Sequence, residues 1–172
     1  MDFFVVVSRR RSVRAFKSKS VEVDKLRRIL EAINQAPSAG NLQAYEVYLI
    51  REARLRTALM KAAADQEFLA QAPLVLVFCT HGKRAEERYS QRGMELYALQ
   101  DATIACTHAM LAATALGLAS VWVGKFDEQA VREVVGVPQG QRPVAILPIG
   151  YAAESPRAPK RRELSELIHE VK

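Results

Sequence analysis

The chain has 172 residues, of which 49% are hydrophobic and 26% charged, and its formal net charge is +6. This length and composition predict one globular domain over residues 1–172 and argue against a disordered, repetitive or multidomain protein. The two cysteines lie in apolar runs without the spacing of metal ligands, so we expect buried free thiols and a cytoplasmic location.

Basic residues are concentrated at the two ends of the chain. The first cluster places guanidinium groups and a hydroxyl within five residues, at Arg10, Arg11, Ser12 and Arg14. This combination suits a phosphate group. The apolar run before it is too short for a signal peptide, and its propensities leave a strand and a capped helix both open. The alternative to phosphate binding is that the two basic ends are solvated tails without a ligand.

Apolar periodicity and turn residues predict the elements of the first half of the chain. A loop rich in proline, glycine and polar side chains follows the first periodic helix, and by itself it is a plain loop. The run Leu74–Cys79 is continuously apolar, which indicates a strand covered on both faces. In chain order we predict a helix over 23–33, a loop over 36–43, a strand over 45–50, a helix over 55–64, a turn over 66–71 and a strand over 74–79.

The segment Met94–Gly124 is the longest apolar-rich run in the chain. Alanines at spacings of three and four predict one long helix, apolar on most sides and buried, with a face that another helix can approach closely. Polar residues within the run argue against a membrane span. Gly117 is expected to end the helix, and a strand over 119–123 leads to Gly124, where the backbone either turns or approaches a ligand.

The last predicted elements are a short helix over 128–135 and a strand over 142–151. Strands that alternate with helices would suggest a parallel sheet, although strand order and direction do not follow from this pattern. The tail after Pro156 contains the second basic cluster and a short amphipathic stretch.

Four common catalytic or cofactor-binding motifs are absent from the chain. There is no GxGxxG, GxxxxGK[ST], CxxC or HExxH sequence, and the three histidines are isolated from one another, so we expect no metal site. Because the sequence offers no convincing nucleophile or acid/base pair, a bound cofactor is the better explanation of any enzymatic activity.

Six segments occur in an order that resembles the nitroreductase family of flavin enzymes, and the resemblance covers essentially the whole chain. It implies an α+β fold with a mixed, mostly antiparallel sheet flanked by helices. It also implies an intertwined homodimer with two FMN molecules at the subunit interface. The segments are 10–14, 37–43, Gln66 ahead of Ala72-Pro73, 116–118 with Trp122-Val123-Gly124, 148–151 and 160–162.

The resemblance also implies which residues bind FMN. The N-terminal basic segment would hold the phosphate and ribityl chain, the C-terminal one would complete the phosphate site, and the loop over 37–43 would line the flavin, often from the second subunit. Gly124 would place its backbone near flavin N5, with no catalytic side chain, and Lys125 stands where many relatives have a second glycine. The implied residues are Arg10, Arg11, Ser12, Arg14, Pro37, Ser38, Asn41, Gln43, Gln66, Val123, Gly124, Lys125, Lys160 and Arg162.

These expectations lead to a functional hypothesis. NADH or NADPH would reduce FMN and leave, and a small electron-poor acceptor such as a nitroaromatic or a quinone would then take the electrons in a ping-pong reaction. One alternative is a specialised flavin enzyme of the reductive dehalogenase or flavin-degrading type. A less favoured alternative is a non-catalytic basic module that contacts nucleic acid, with affinity that falls steeply with salt. The main hypothesis expects neither a nucleic-acid nor a membrane partner.

Overall fold

A four-stranded antiparallel sheet forms the centre of the fold in the computed structural model, which describes residues 2–171. Its strands lie in the order β1-β2-β4-β3, and each neighbouring pair is antiparallel. The parallel arrangement that alternation suggested is therefore wrong for these strands. The strands are β1 (Tyr45–Ile50), β2 (Leu74–His81), β3 (Ala119–Ser120) and β4 (Gln141–Gly150).

Helices cover both faces of this sheet. Short 3-10 turns occur at Ala39–Asn41 and Leu164–Glu166, and a π-helical turn occurs at Gly93–Tyr97. None of the helices formed by residues 2–171 combines the length and apolar character needed to cross a membrane. The helices are α1 (Phe3–Arg9), α2 (Val23–Asn34), α3 (Ala53–Ala62), α4 (Phe68–Gln71), α5 (Gly82–Arg92), α6 (Ala98–Ala115) and α7 (Glu128–Val135).

The central strand β2 separates two hydrophobic cores. Leu76 and Phe78 belong to the core that contains α2 and α6, whereas Val75 and Val77 belong to the core that contains α3, α4 and α7. All four side chains are fully buried, because successive residues of a strand point to opposite faces and both faces are covered. The prediction from the continuous apolar run is confirmed.

Helix α6 differs from its prediction in extent and in burial. It begins at Ala98, after the π-helical turn, and not at Met94. Its small residues Ala102, Ala105 and Ala109 are fully buried, but bulky residues on its other side, such as Leu99, are only half-buried. The prediction that α6 is buried on most of its sides is therefore wrong for a single chain. The other elements formed by residues 2–171 cover only the side of α6 that carries the alanines.

The structure also defines three shorter segments: the N-terminal run, the end of the strand that follows α6, and the C-terminal segment. The N-terminal run is helix α1, since the Asp2 side chain accepts a hydrogen bond from the Phe4 amide at 2.9 Å and caps the helix. The expected strand over 119–123 is regular only at Ala119–Ser120, and Val123 forms a single bridge to Ile146. The segment from 157 to 171 is exposed.

Candidate functional site

The two basic ends of the chain meet in one cavity of about 330 Å³. Among residues 2–171, five arginines and no carboxylate line it, so the cavity concentrates positive charge. This arrangement does not fit two separate solvated tails. The lining residues are Arg10, Arg11, Ser12, Arg14, Pro156, Arg157, Pro159 and Arg161.

Core anchors hold the N-terminal basic segment in place. Val13 and Phe16 are buried in the core, whereas Arg14 between them is exposed. Ser12 forms a parallel bridge to Ser120 of β3, and the Val13 amide donates to the Ser120 carbonyl at 3.2 Å. The N-terminal basic segment therefore runs beside β3, which is the strand that leads to Gly124.

The arginines of the cavity repel one another. Burial first, and then the nearby charges of Arg161 and Arg11, lower the pKa of the Arg10 guanidinium. The backbone at the end of α1 fixes Arg11, since its Nη1 donates to the carbonyls of Ser8 at 2.7 Å and Arg10 at 2.8 Å. A bound anion would relieve this repulsion, so the charge distribution fits a phosphate group.

The C-terminal members of the cavity are not the residues expected from the resemblance. Arg157 and Arg161 line the cavity, whereas Lys160 and Arg162 line an adjacent cavity of about 290 Å³. Arg162 pairs with Glu166, with 3.6 Å between its Nε and a carboxylate oxygen. The sequence signal for Arg157 and Arg161 was their membership of the same basic cluster.

A carboxylate lies beside the cavity but does not line it. The Glu154 side chain accepts a short hydrogen bond from the Arg14 backbone amide. This contact fixes the backbone of Arg14 and does not use its guanidinium, so the charged group of Arg14 is available to a ligand.

The edge of the molecule beyond β3 brings together the next set of predicted residues. Gly124 and Lys125 are exposed, and the Gln66 side chain donates to the Lys125 carbonyl at 3.1 Å. A Cβ added to Gly124 would meet nothing closer than the Trp122 ring at 3.4 Å, so the chain's own packing does not require glycine there. The open space leaves the backbone accessible to a ligand.

The loop over residues 37–43 is tightly organised. Ser38 Oγ accepts from the Gln43 amide at 2.9 Å, and the Gln43 side chain donates to the Asn34 side chain at 3.1 Å. Gly40, Asn41 and Gln43 have φ values of +55°, +55° and +50°. A fixed conformation of this kind, in which non-glycine residues adopt positive φ, is more than a plain connection requires.

A buried carboxylate that sequence reasoning missed holds this loop. Asp101, on the first turn of α6, is only 2% exposed, and it accepts hydrogen bonds from the Ala39 amide at 3.0 Å and the Ala44 amide at 3.2 Å. The signal available in the sequence was one acidic residue in a helix that otherwise contains no Asp, Glu, Lys or Arg. Buried charges of this kind need such partners.

The loop and the basic cavity lie toward opposite ends of α6. Asp101 contacts the loop, whereas Thr114 lines a small cavity together with Arg10 and Arg11. These two helix positions are about 20 Å apart at 1.5 Å per residue. The loop therefore lies far from the basic cavity along α6, whereas the N-terminal basic segment runs beside the strand that leads to Gly124.

A large cavity lies between the loop and the outer side of α6. Its volume is about 650 Å³, and most of its lining is apolar. The lining residues are Pro37, Ser38, Ala39, Tyr97, Leu99, Gln100, Asp101, Thr103 and Ile104.

The cysteines and the central histidine show no sign of reactivity. Cys79 and Cys106 are free and buried, and burial raises the pKa of the Cys79 thiol to about 12. His108 is half-buried, with its Nδ1 3.2 Å from the Ala32 carbonyl. These groups fit structural roles, and the two thiols are buried and free as the sequence predicted.

Comparison with known proteins gives consistent matches over the chain. The family model described as the nitroreductase family matches residues 7–67 and 60–151. A Thermus thermophilus protein named NADH dehydrogenase is 29% identical over 195 residues, covering 98% of this chain and 95% of that protein. A Bacillus subtilis protein named FMN reductase (NAD(P)H) is 30% identical over 167 residues, covering 87% of this chain and 67% of that protein.

Solved structures share the fold. The crystal structure of a nitroreductase family protein from Clostridium difficile 630 superposes with a TM-score of 0.86 at 33% identity, covering 98% of both chains. This match confirms the expected α+β fold, with its antiparallel sheet between helices.

Proposed function

The chain belongs to the nitroreductase family, and we propose that this oxidoreductase binds FMN, takes electrons from NADH or NADPH and reduces a small electron-poor acceptor such as a nitroaromatic or a quinone. The observation that carries this proposal is the carboxylate-free arginine cavity beside the Gly124 edge. The relatives named for NADH dehydrogenase and FMN reductase activity support the same reaction class.

The residues of the cavity suit the FMN phosphate. Guanidinium groups bind phosphate oxygens through paired, charge-assisted hydrogen bonds, and the Ser12 hydroxyl adds a neutral donor. A phosphate dianion would offset both the burial and the repulsion by Arg161 and Arg11 that lower the pKa of Arg10. We therefore assign Arg157 and Arg161 to the phosphate beside Arg10, Arg11, Ser12 and Arg14. Lys160 and Arg162 would lie just outside the first contacts.

The Gly124 edge suits the ring system. When bound, FMN accepts a hydride from the nicotinamide and passes electrons to the acceptor. The chain's part is to hold and orient the ring: Val123 is anchored to the sheet, Gly124 exposes its backbone, and Gln66 fixes the Lys125 carbonyl. A backbone donor at this position would stabilise negative charge on the ring.

We further propose that a second copy of the chain completes the site. The loop containing Pro37, Ser38, Asn41 and Gln43 lies toward the other end of α6 from the phosphate cavity, about 20 Å away along the helix, so the loop of one chain does not lie beside that chain's own phosphate cavity. The uncovered side of α6 and the exposed Phe3 and Phe4 of α1, at 62% and 78%, offer apolar surface for a homodimer. A two-fold partner would bring its loop to this chain's flavin.

Two rival functions make different predictions. A specialised flavin enzyme would turn over slowly with general acceptors and quickly with one dedicated substrate. A nucleic-acid module would spread its arginines over a surface, whereas here they line a cavity of about 330 Å³ that suits a small anion.

The absorption spectrum of the purified protein tests the proposed function. We expect a yellow protein whose visible bands bleach on anaerobic addition of NADH or NADPH and return on addition of a quinone. A colourless protein that gains no flavin bands after incubation with FMN would contradict the proposal. Slow recovery with every nitro or quinone acceptor would favour the specialised enzyme.

A further inference from the structure

Helix α5 is fastened to the loop over residues 37–43 by two arginines. Arg84 Nε donates to the Leu42 carbonyl, and Arg88 Nη1 donates to the Gly40 carbonyl at 3.3 Å. The two arginines are four residues apart and so lie on one side of the helix, before a kink at Ser90. This side of α5 therefore faces the loop.

The contact with Gly40 is very close. A Cβ added at residue 40 would lie 2.5 Å from the Tyr89 hydroxyl and 2.8 Å from Arg88 Nη1. Gly40 also has a φ of +55°, so both space and conformation favour glycine at this position. The guanidinium of Arg88 and the phenol of Tyr89 are thus packed directly on the loop backbone.

The charge of Arg88 is not neutralised nearby. Within residues 2–171, no carboxylate lies within ion-pair distance of Arg84 or Arg88, although α5 contains Glu86 and Glu87. Arg88 is exposed, and its hydrogen bond to Gly40 uses one of its five N–H donors. Its remaining donors can bind a ligand.

An aromatic surface adjoins this cation. The rings of Tyr89 and Tyr97 meet edge to face, with their centroids 5.1 Å apart, and Tyr97 also lines the cavity of about 650 Å³. The Arg88 guanidinium lies 5.5 Å from the Tyr89 ring centroid. A flat ring that carries an anionic group would find both an aromatic wall and a cation here.

We propose that Arg88 is a specificity-determining residue, which binds the anionic group of an aromatic acceptor, such as a carboxylate or sulfonate, while the acceptor's ring lies on the flavin. This inference rests on the proposed function, in which the loop lines the flavin. A charged group on a one-ring or two-ring acceptor lies close to the reacting atoms. The 2′-phosphate of NADPH lies at the far end of the molecule from the nicotinamide. It is therefore a less suitable ligand for Arg88, which packs against the loop that lines the flavin ring.

The matched acceptors are 1,4-naphthoquinone and 1,4-naphthoquinone-2-sulfonate, assayed with the flavin-loaded protein. Arg88→Gln should lower kcat/KM for the sulfonate about tenfold more than kcat/KM for the neutral quinone, mainly through KM. The loss should shrink at high salt, and Arg88→Lys should restore part of it. Comparing each variant with the parent protein cancels the different intrinsic reactivities of the two quinones.

The control is Lys83→Gln, which removes the same charge from the same helix. The Lys83 side chain lies near Gly140 and not on the loop, so this variant should not alter the preference between the quinones. Equal losses with both quinones in Arg88→Gln would show that Arg88 only fastens the loop and would overturn the inference. A changed NADPH to NADH ratio with an unchanged quinone ratio would also overturn it. Absence of flavin reduction in the parent protein would instead refute the proposed function.

Discussion

Asp101 illustrates how much a single residue contributes to the site. Its buried carboxylate accepts two backbone hydrogen bonds that set the positions of Ala39 and Ala44 at either end of the loop. Without those acceptors, two amides would lose their partners in a region with little access to water.

We therefore predict that Asp101→Leu lowers the free energy of unfolding by about 2–6 kcal/mol, since each of the two unsatisfied amides costs about 1–3 kcal/mol. Urea unfolding measures this loss. Asp101→Asn keeps one acceptor oxygen and should lose less, and Asp24→Asn, at an exposed position in the first turn of α2, should change little. An Asp101→Leu protein as stable as its parent would show that this carboxylate does not stabilise the loop.

A second residue-level prediction concerns acid stability. The Tyr151 hydroxyl donates to the Glu22 carboxylate at 2.7 Å and is the main cause that lowers the Glu22 pKa from 4.5 to about 2. A lowered carboxyl pKa stabilises the fold above the unfolded value of 4.5, and this stabilisation is lost as pH falls toward 2.

The stability difference between Tyr151→Phe and the parent protein should therefore be largest at neutral pH and should shrink between pH 5 and pH 3. Denaturant titrations at several pH values measure it. Tyr48→Phe is the control, because Tyr48 donates to the neutral Gln141 side chain and its loss should not depend on pH in this range. A constant difference for Tyr151→Phe would rule out the linkage to Glu22.

The arginines show what residue-level sequence reasoning can reach. The convergence of the two basic clusters was implied by the family resemblance, whereas their composition alone left a pair of solvated tails open. The choice of Arg157 and Arg161 over Lys160 and Arg162 was not predictable, since it depends on which side chains of an irregular tail face the cavity. No hydrophobic period orients such a segment.

At the level of elements, hydrophobic patterns predicted a helix or strand well where residues of the same chain cover its apolar side. Strand β2 and helix α2 follow their predicted ranges closely, because β2 is covered on both faces and the apolar side of α2 is buried. The pairing order β1-β2-β4-β3 depends on contacts between distant segments, which periodicity does not encode. Helix α6 departs from prediction because its bulky side has no cover within this chain.

The alanine side of α6 carries a prediction of its own. Ala109 is fully buried in the core shared with α2, so Ala109→Leu should overpack it and lower the free energy of unfolding by about 1–3 kcal/mol. Thermal and urea unfolding test this. The same substitution at Ala115, which is exposed at the end of the helix, should have little effect. Equal effects at the two positions would mean that close packing on this side is not important.

At the level of the whole molecule, the separation of the loop from the basic cavity is the main argument for a dimer. We predict that the flavin-loaded protein sediments at twice the 19.2 kDa mass of one chain. Leu99→Glu, on the uncovered side of α6, should weaken both dimerisation and flavin retention, because it places a charge in the proposed interface. Leu49→Glu, on the edge strand β1, is the control. A stable monomer that retains flavin would contradict a shared site.

The central claim is that both basic ends of the chain bind one flavin phosphate, and the relative affinity for FMN and riboflavin tests it most directly. Charge-assisted hydrogen bonds of about 1.5–3 kcal/mol each should make FMN bind at least about a hundredfold more tightly than riboflavin in fluorescence titrations. Arg10→Ala and Arg161→Ala, one from each end, should each reduce this preference about tenfold, whereas the exposed Arg54→Ala on α3 should not. Equal affinity for the two flavins, or a preference unchanged in Arg161→Ala, would contradict the account.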